Sequence, residues 1–373
     1  MSNINDYLAW RGDIPIDKKI IFNDIDSLIL ARFSYLLFNK IDMDSVETIE
    51  SISKKMENFD NESFRYNGDK EMISRLGQSL RFKDMKVTDY VENKDIKEEK
   101  QFSAITIHIS EKELYISFIG TDNSIVGWKE DFNMAFLESV PAQLDGEKYL
   151  RMISKKYPKA KIRIGGHSKG GNIAIFSAVT TLKGIQKKII DVCNYDGPGL
   201  DKEIIEKFGN TDIVSKVHTF IPQDSVIGRV LEHKEKCSVV QSSEKKLYQH
   251  DIFSWQVLGT NFIYEDSVTI ESEFINNSIT MWLKETTPEQ RKIFFDGIFQ
   301  LFYSTDADTF AKLSSSLTNN IPIFFKAYRE LSDNDKKTIA SMLKEFGKIY
   351  MSNYKQRKKI KIENAFENAF QKS

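Results

Sequence analysis

The sequence predicts an α/β protein whose largely parallel sheet is covered on both faces, and three observations carry that prediction. Short β-rich segments alternate with helical ones between Lys161 and Ile221. A glycine-rich turn, Gly165-Gly-His-Ser-Lys-Gly-Gly171, joins one β-rich segment to the helix that follows it. Upstream, Phe102-Ser-Ala-Ile-Thr-Ile-His-Ile-Ser110 alternates as a strand does, a polar turn occupies Glu111 to Glu113, and Leu114 to Phe118 forms a second strand. Alternating β and α elements bury a parallel sheet between helices, with the hairpin as its antiparallel beginning.

Taken in order, the first hundred residues read as helix and loop. Asp26 or Ser27 caps a helix through Leu28, Ile29, Phe33, Leu36 and Leu37, where apolar residues recur at helical spacing. From Asn58 to Lys100 charge is dense and periodicity weak, so this stretch is expected to lie over the surface of a core built later. Beyond the hairpin come a strand at Lys161–Gly165, a helix from Gly170 through Ile173, Ala174, Phe176 and Ala178, and a strand at Ile189–Tyr195. A helix at Asp201–Phe208 and a strand at Val217–Ile221 complete the alternation. After Phe253 the character turns helical. Thr287, Pro288 and Gln290 supply an N-cap, a first-turn proline and a capping-box partner for a helix to about Phe302. Ser332 and Asp335 repeat the signature before a helix through Tyr350. The expected regions are an N-terminal extension at 1–100, a catalytic core at 101–260 and a helical region at 261–373.

Composition narrows the function classes. Of 373 residues 40% are hydrophobic, too many for a disordered chain. Lys and Arg number 53 against 54 Asp and Glu, without the basic surplus of a general nucleic-acid binder. Cys193 and Cys237 are too few and too far apart for a disulfide framework or a cysteine zinc site, and suit a reducing compartment. The N-terminus lacks the apolar core of a signal peptide, and no run reaches the roughly 18 apolar residues of a membrane span. A cytoplasmic location is the expectation. The basic run Lys355 to Lys361 reads as a solvated tail or, alternatively, as a peripheral contact with an anionic membrane.

Within the glycine-rich turn, Gly166-His167-Ser168-Lys169-Gly170 is a G-x-S-x-G pattern between strand and helix. A serine on so sharp a turn projects above the sheet edge, at a helix N-terminus whose amides favour a developing anion. Ser168 is therefore the candidate nucleophile. A serine needs a base to accept its proton. Of five histidines, His108 precedes the nucleophile, His167 sits inside the turn, His218 lies in a strand and His233 in a charged patch read as solvated. His250, opening Gln249-His-Asp-Ile-Phe-Ser-Trp255, remains by elimination and chain order. The orienting acid is expected at the end of a late strand. Asp224, after Val217–Ile221, is preferred over Asp196 of Asp196-Gly-Pro-Gly199, whose expected task is to shape the turn beside the site. The oxyanion amides are those of Lys169 and of Thr121, which follows Gly120 at a strand end, with Asp122 as the alternative donor. Asp122, His167 and Phe299 are the expected substrate contacts. Phe299 shares a helix face with Phe295 and Phe302 while Phe294 turns aside, and with Phe310 these rings form either core packing or an apolar wall for an acyl chain. No HExxH, P-loop or dinucleotide fingerprint is present, so no cofactor or metal is expected.

Gly120-Thr-Asp with Trp128 and Asp131, followed by Gly166-His-Ser-Lys-Gly170, resembles the class-3 lipases of the α/β-hydrolase superfamily. Tyr7-Leu-Ala-Trp-Arg-Gly12 and His250-Asp-Ile-Phe-Ser-Trp255 are similar to motifs of a bacterial hydrolase family, the Mbeg-like proteins, over most of the chain. The resemblance implies an α/β-hydrolase fold, Ser168 as nucleophile, Asp224 as acid, His250 as base and Thr121 as an oxyanion donor. Lys169 and Ile119 depart from the lipase pattern, which bears on substrate more than on the triad. The expected activity is hydrolysis of carboxylic acyl esters, of lipids or lysolipids, through an acyl-enzyme. Thioester hydrolysis and acyl transfer would use the same residues. The alternative is a non-catalytic module that binds a hydrophobic ligand or a protein.

Overall fold

The computed structural model describes residues 2–36, 38–122, 124–209, 212–305, 307, 309, 312 and 317–370, excepting the side chains of 317–319, 321 and 356–370. Leu37 and Phe310 lie outside the described residues. The strands are β1 (Val46–Thr48), β2 (Lys86–Asp95), β3 (Lys100–Ser110), β4 (Glu113–Phe118), β5 (Lys161–His167), β6 (Ile189–Tyr195), β7 (Val217–Pro222), β8 (Cys237–Val240), β9 (Val257–Leu258), β10 (Asn261–Phe262) and β11 (Tyr264–Glu265). The helices are α1 (Ile4–Arg11), α2 (Asp24–Phe33), α3 (Ile49–Met56), α4 (Gly68–Gln78), α5 (Ile125–Asn133), α6 (Pro141–Lys156), α7 (Lys169–Thr180), α8 (Lys183–Gln186), α9 (Lys202–Phe208), α10 (Ile270–Glu285), α11 (Pro288–Tyr303), α12 (Leu317–Glu330) and α13 (Asp333–Phe370).

Among the described residues, β1 to β8 and β11 form a nine-stranded sheet in that order. From β4 to β8 the strands run parallel; β1 to β4 and the β8–β11 edge pair antiparallel. This is the central sheet of an α/β-hydrolase fold. Alternation along β4 shows how the sequence covers both faces. Leu114, Ile116 and Phe118 join α6 and α7 in one core cluster, while Tyr115 points the other way, into a cluster with Leu28, Ile29 and Phe33 of α2. Tyr115 sends its hydroxyl to the Ser27 carbonyl, 2.9 Å away, so its one polar atom is satisfied inside that layer.

The segment expected to lie on the surface is part of this second face. Met72, Ile73 and Leu76 of α4, and Phe82, Met85 and Val87 beyond it, are buried in the cluster. Strand β2 shows no alternation in the sequence because a bulge between Thr88 and Val91, with Asp89 at φ 56°, breaks it. The helix expected to be capped by Asp26 or Ser27 is capped three or four residues earlier. Asn23 caps α2 and Asp26 closes a reciprocal capping box, so Asp26 serves as the third helical residue.

The chain divides into two compact units. One comprises residues 1–122 and 138–268 and holds the whole sheet; the other comprises 123–137 and 269–373. The second unit has its own core, in which Trp282 and Phe294 pack edge to face at 5.5 Å and Phe295 lies 4.9 Å from Phe132 of α5. Lys129 of α5 is almost fully buried there and reaches Asn133 and Asp296. Phe294 does not turn aside as its spacing suggested; it is buried with Phe295. Among the described residues no helix is long and apolar enough to cross a membrane.

Candidate active site

Strand β5 ends at His167, and Ser168 follows at φ 58°, ψ −133°, a left-handed conformation that strains any residue with a Cβ. Surrounding bonds hold it there. Ser168 N–H donates to the Tyr195 carbonyl at 2.9 Å, and the Ser168 carbonyl accepts from Gly171 N–H at 2.9 Å as α7 begins. Gly170 makes the crossing possible, since a Cβ on it would lie 2.1 Å from the Phe118 carbonyl oxygen. The strand-to-helix turn read from the sequence is thus present, with Ser168 partly exposed at the start of α7.

His250 stands at the end of a 3₁₀ turn, Lys246–His250. Its Nδ1 donates to Asp196 Oδ2 at 2.7 Å. The other Asp196 oxygen accepts from Ser225 Oγ and, at 3.2 Å, from Gly228 N–H. Asp196 is 2% exposed and sits at φ 51°, directly after β6, its own N–H bonded to the Phe220 carbonyl. The carboxylate bonded to His250 Nδ1 is thus Asp196, where the sequence led to the expectation of Asp224. Asp224 instead fastens the turn below the histidine. Its carboxylate accepts from Lys246 N–H at 2.8 Å and from Gln249 Nε2 at 3.3 Å, and its N–H donates to Gln249 Oε1 at 2.7 Å. Both aspartates end late strands and precede His250, so spacing alone does not separate them; the path of the 3₁₀ turn does.

His167 connects the two halves of the site. Its Nε2 donates to the His250 carbonyl at 2.9 Å, and the two imidazole rings lie 4.4 Å apart. Burial, aided by the His250, Arg32 and Arg65 charges, holds His167 well below the usual imidazole range, so it is neutral. It holds the His250 backbone and is itself buried. Trp255, fully buried, donates from Nε1 to the Gln249 carbonyl and anchors the same turn from its other end.

Lys169 begins α7, where backbone amides point out of the helix end. Its side chain runs into the protein: Nζ donates to the Gln101 carbonyl at 2.9 Å and to Gln101 Oε1 at 2.8 Å. Gln101 in turn reaches the Gly120 carbonyl and the Asp122 N–H, each at 3.4 Å. The unusual lysine of the elbow thus ties its own backbone to the loop bearing Thr121. Thr121 is buried, and its carbonyl accepts from Arg65 Nη1 at 2.6 Å. Asp122 pairs with Lys94 at 3.1 Å. Phe299, 1% exposed, packs on Phe132 and Phe302 within the second unit. His233, read as solvated, is instead nearly buried, with Nδ1 bonded to Glu235. Among the described residues no three His, Cys, Asp or Glu side chains are grouped to hold a metal ion.

The sheet is that of an α/β-hydrolase fold, with the Ser168 turn after β5 and the Asp196-bound His250 packed against His167 of that turn. The family model described as Mbeg1-like matches residues 76–300, and the chain belongs to that family. No curated protein matches it. Among solved structures, a fungal lipase–inhibitor complex titled as a model for interfacial activation is 16% identical, covers 46% of this chain and 70% of its own, and has a TM-score of 0.35. The M37 lipase is 19% identical over 54% of this chain and 68% of its own, also at 0.35. The Rhizomucor miehei lipase in complex with its propeptide is 16% identical over 48% and 70%, at 0.33.

Proposed function

We propose that the protein is a serine hydrolase of carboxylic acyl esters, lipid or lysolipid esters among them, with Ser168, His250 and Asp196 as its triad. The single observation that carries the reading is the bond from His250 Nδ1 to the buried Asp196 carboxylate, one residue after the Tyr195 carbonyl that holds Ser168 at positive φ. With Asp196 accepting at Nδ1, the neutral imidazole presents the lone pair of Nε2. In the first half-reaction Nε2 takes the Ser168 proton as Oγ attacks the ester carbonyl. The tetrahedral oxyanion is stabilised by the Lys169 and Thr121 amides, and collapse expels the alcohol with the proton returned from Nε2. Water repeats the sequence and releases the acid; another alcohol in place of water would give acyl transfer.

A fluorophosphonate probe is expected to add one adduct at Ser168 and none to Ser168→Ala, read by intact mass. Folded wild-type protein without an adduct, inert towards p-nitrophenyl esters from C2 to C12, would overturn the reading in favour of a binding module. The same ester panel gives acyl preference. Each methylene buried in the transition state contributes up to about 0.8 kcal/mol, so a pocket for long chains shows as kcat/KM rising nearly fourfold per carbon until it is filled.

A further inference from the structure

The loop bearing the Thr121 amide is held by two side chains that precede the sheet core by many residues and belong to neither motif of the site. Tyr35, just after α2, accepts from Gly120 N–H at 2.9 Å and donates to the His167 carbonyl at 2.8 Å. One hydroxyl thereby links the residue before Thr121 to the residue before Ser168. Gly120 admits that contact only because it lacks a side chain; a Cβ there would lie 2.0 Å from the tyrosine oxygen. Arg65, just before α4, grips the next residue along through the Thr121 carbonyl. Two guanidinium groups lie over the Tyr35 ring, with Arg32 at 5.0 Å and Arg65 at 5.7 Å from its centroid. Arg32 is itself fixed by a buried two-point ion pair with Asp69 of α4.

We infer that Tyr35 and Arg65 are positioning residues for the oxyanion hole: they set the backbone of Gly120 and Thr121 so that the Thr121 amide meets the oxyanion. The inference rests on the hydrolase reading above. An oxyanion donor acts only when held where charge develops, and small displacements forfeit most of its effect. A free strand-end loop has no means of holding that geometry. Here its N–H before Thr121 and its carbonyl after it are both fixed from outside the loop, by the N-terminal segment. Burial, against the pull of Arg65 and Arg32, pushes the Tyr35 phenol well up, so the hydroxyl keeps the proton it donates across the working range.

The test uses the full chain. Tyr35→Phe deletes one oxygen and leaves the ring against its two cations; Arg65→Ala deletes the second grip. For each variant kcat and KM for a short p-nitrophenyl ester are measured, with affinity for an alkyl trifluoromethyl ketone, whose serine adduct carries an oxyanion. The expected result is kcat lower by about 10- to 100-fold with KM within about threefold, and ketone affinity weakened by the same factor as kcat/KM. Free guanidinium at sub-denaturing concentration is expected to restore part of the Arg65→Ala rate and none of the Tyr35→Phe rate. Wild-type kcat and ketone affinity in Tyr35→Phe, beside an active wild type, overturn the inference and leave the hydrolase reading intact. An inert wild type overturns both. If Arg65→Ala fails to fold, Tyr35→Phe decides alone.

Discussion

Asp196 and Asp224 are chemically identical and both end strands that point at the same turn, yet they contact different things. Asp196 touches the imidazole; Asp224 touches the backbone of the turn that carries it. Asp196→Asn is expected to lower kcat on the order of 10⁴-fold, because the amide no longer selects the tautomer that accepts from serine. Asp224→Asn, which loosens a turn and leaves the imidazole its partner, should cost less than about tenfold. Steady-state kinetics on the two variants decides between them; the reverse ranking would restore Asp224 as the acid. A second residue-scale expectation concerns His233. Burial alone would lower its pKa, but Cys237 and Glu235 outweigh that and push it up to about 10. Below the ordinary imidazole value of about 6.5 both folded and unfolded chains hold this proton, and the stabilisation is complete. As pH rises from there towards 10 only the folded chain keeps the proton, so the contribution is progressively lost. Urea titrations across that window should show a steeper decline for wild type than for His233→Gln.

At the scale of elements, the buried Arg32–Asp69 pair joins α2 to α4 with both side chains out of water. Asp69→Asn leaves a guanidinium buried without its counter-charge and should cost about 3–5 kcal/mol, read from the shift in urea midpoint at constant slope. Neither partner was singled out in the sequence, because an arginine and an aspartate 37 residues apart carry no local mark of their meeting. What was legible is what local physics dictates. Strand β6 and helices α7 and α11 follow from alternation, from the glycines of a close turn and from the Thr287–Gln290 capping box. Ser168 and His250 stand out as candidates in the sequence because the elbow has a local signature and histidines are few. Strand β2 was illegible because its bulge erases the period of two, and because only Val87 and Thr88 are buried along its length. Which aspartate meets His250 is not legible for a different reason: it depends on where a 3₁₀ turn passes in space, and the Gln249–Asp224 bonds that route it have no sequence pattern.

For the molecule as a whole, two units with separate cores predict two melting transitions rather than one. Phe299→Ala removes a ring that packs on Phe132 and Phe302, and should destabilise its unit by about 3–5 kcal/mol. Calorimetry should then show one transition moved down by several degrees and the other unmoved; a common shift of both would mean that the units melt together. The second unit is also discontinuous. Helix α5 emerges directly after the Thr121 loop, but its partner α11 is encoded far downstream, with 167 residues between Lys129 and Asp296. On a ribosome adding about 5–20 residues per second, that separation is a wait on the order of ten seconds or more. Throughout it the strands of the large sheet are synthesised and can pair, while Phe132 and the Lys129 ammonium have no partner from α11 to cover them. Premature termination near Val268 would make that interval permanent. The nascent α5 is thus left with Phe132 uncovered by its native partner for longer than the parallel strands wait for theirs.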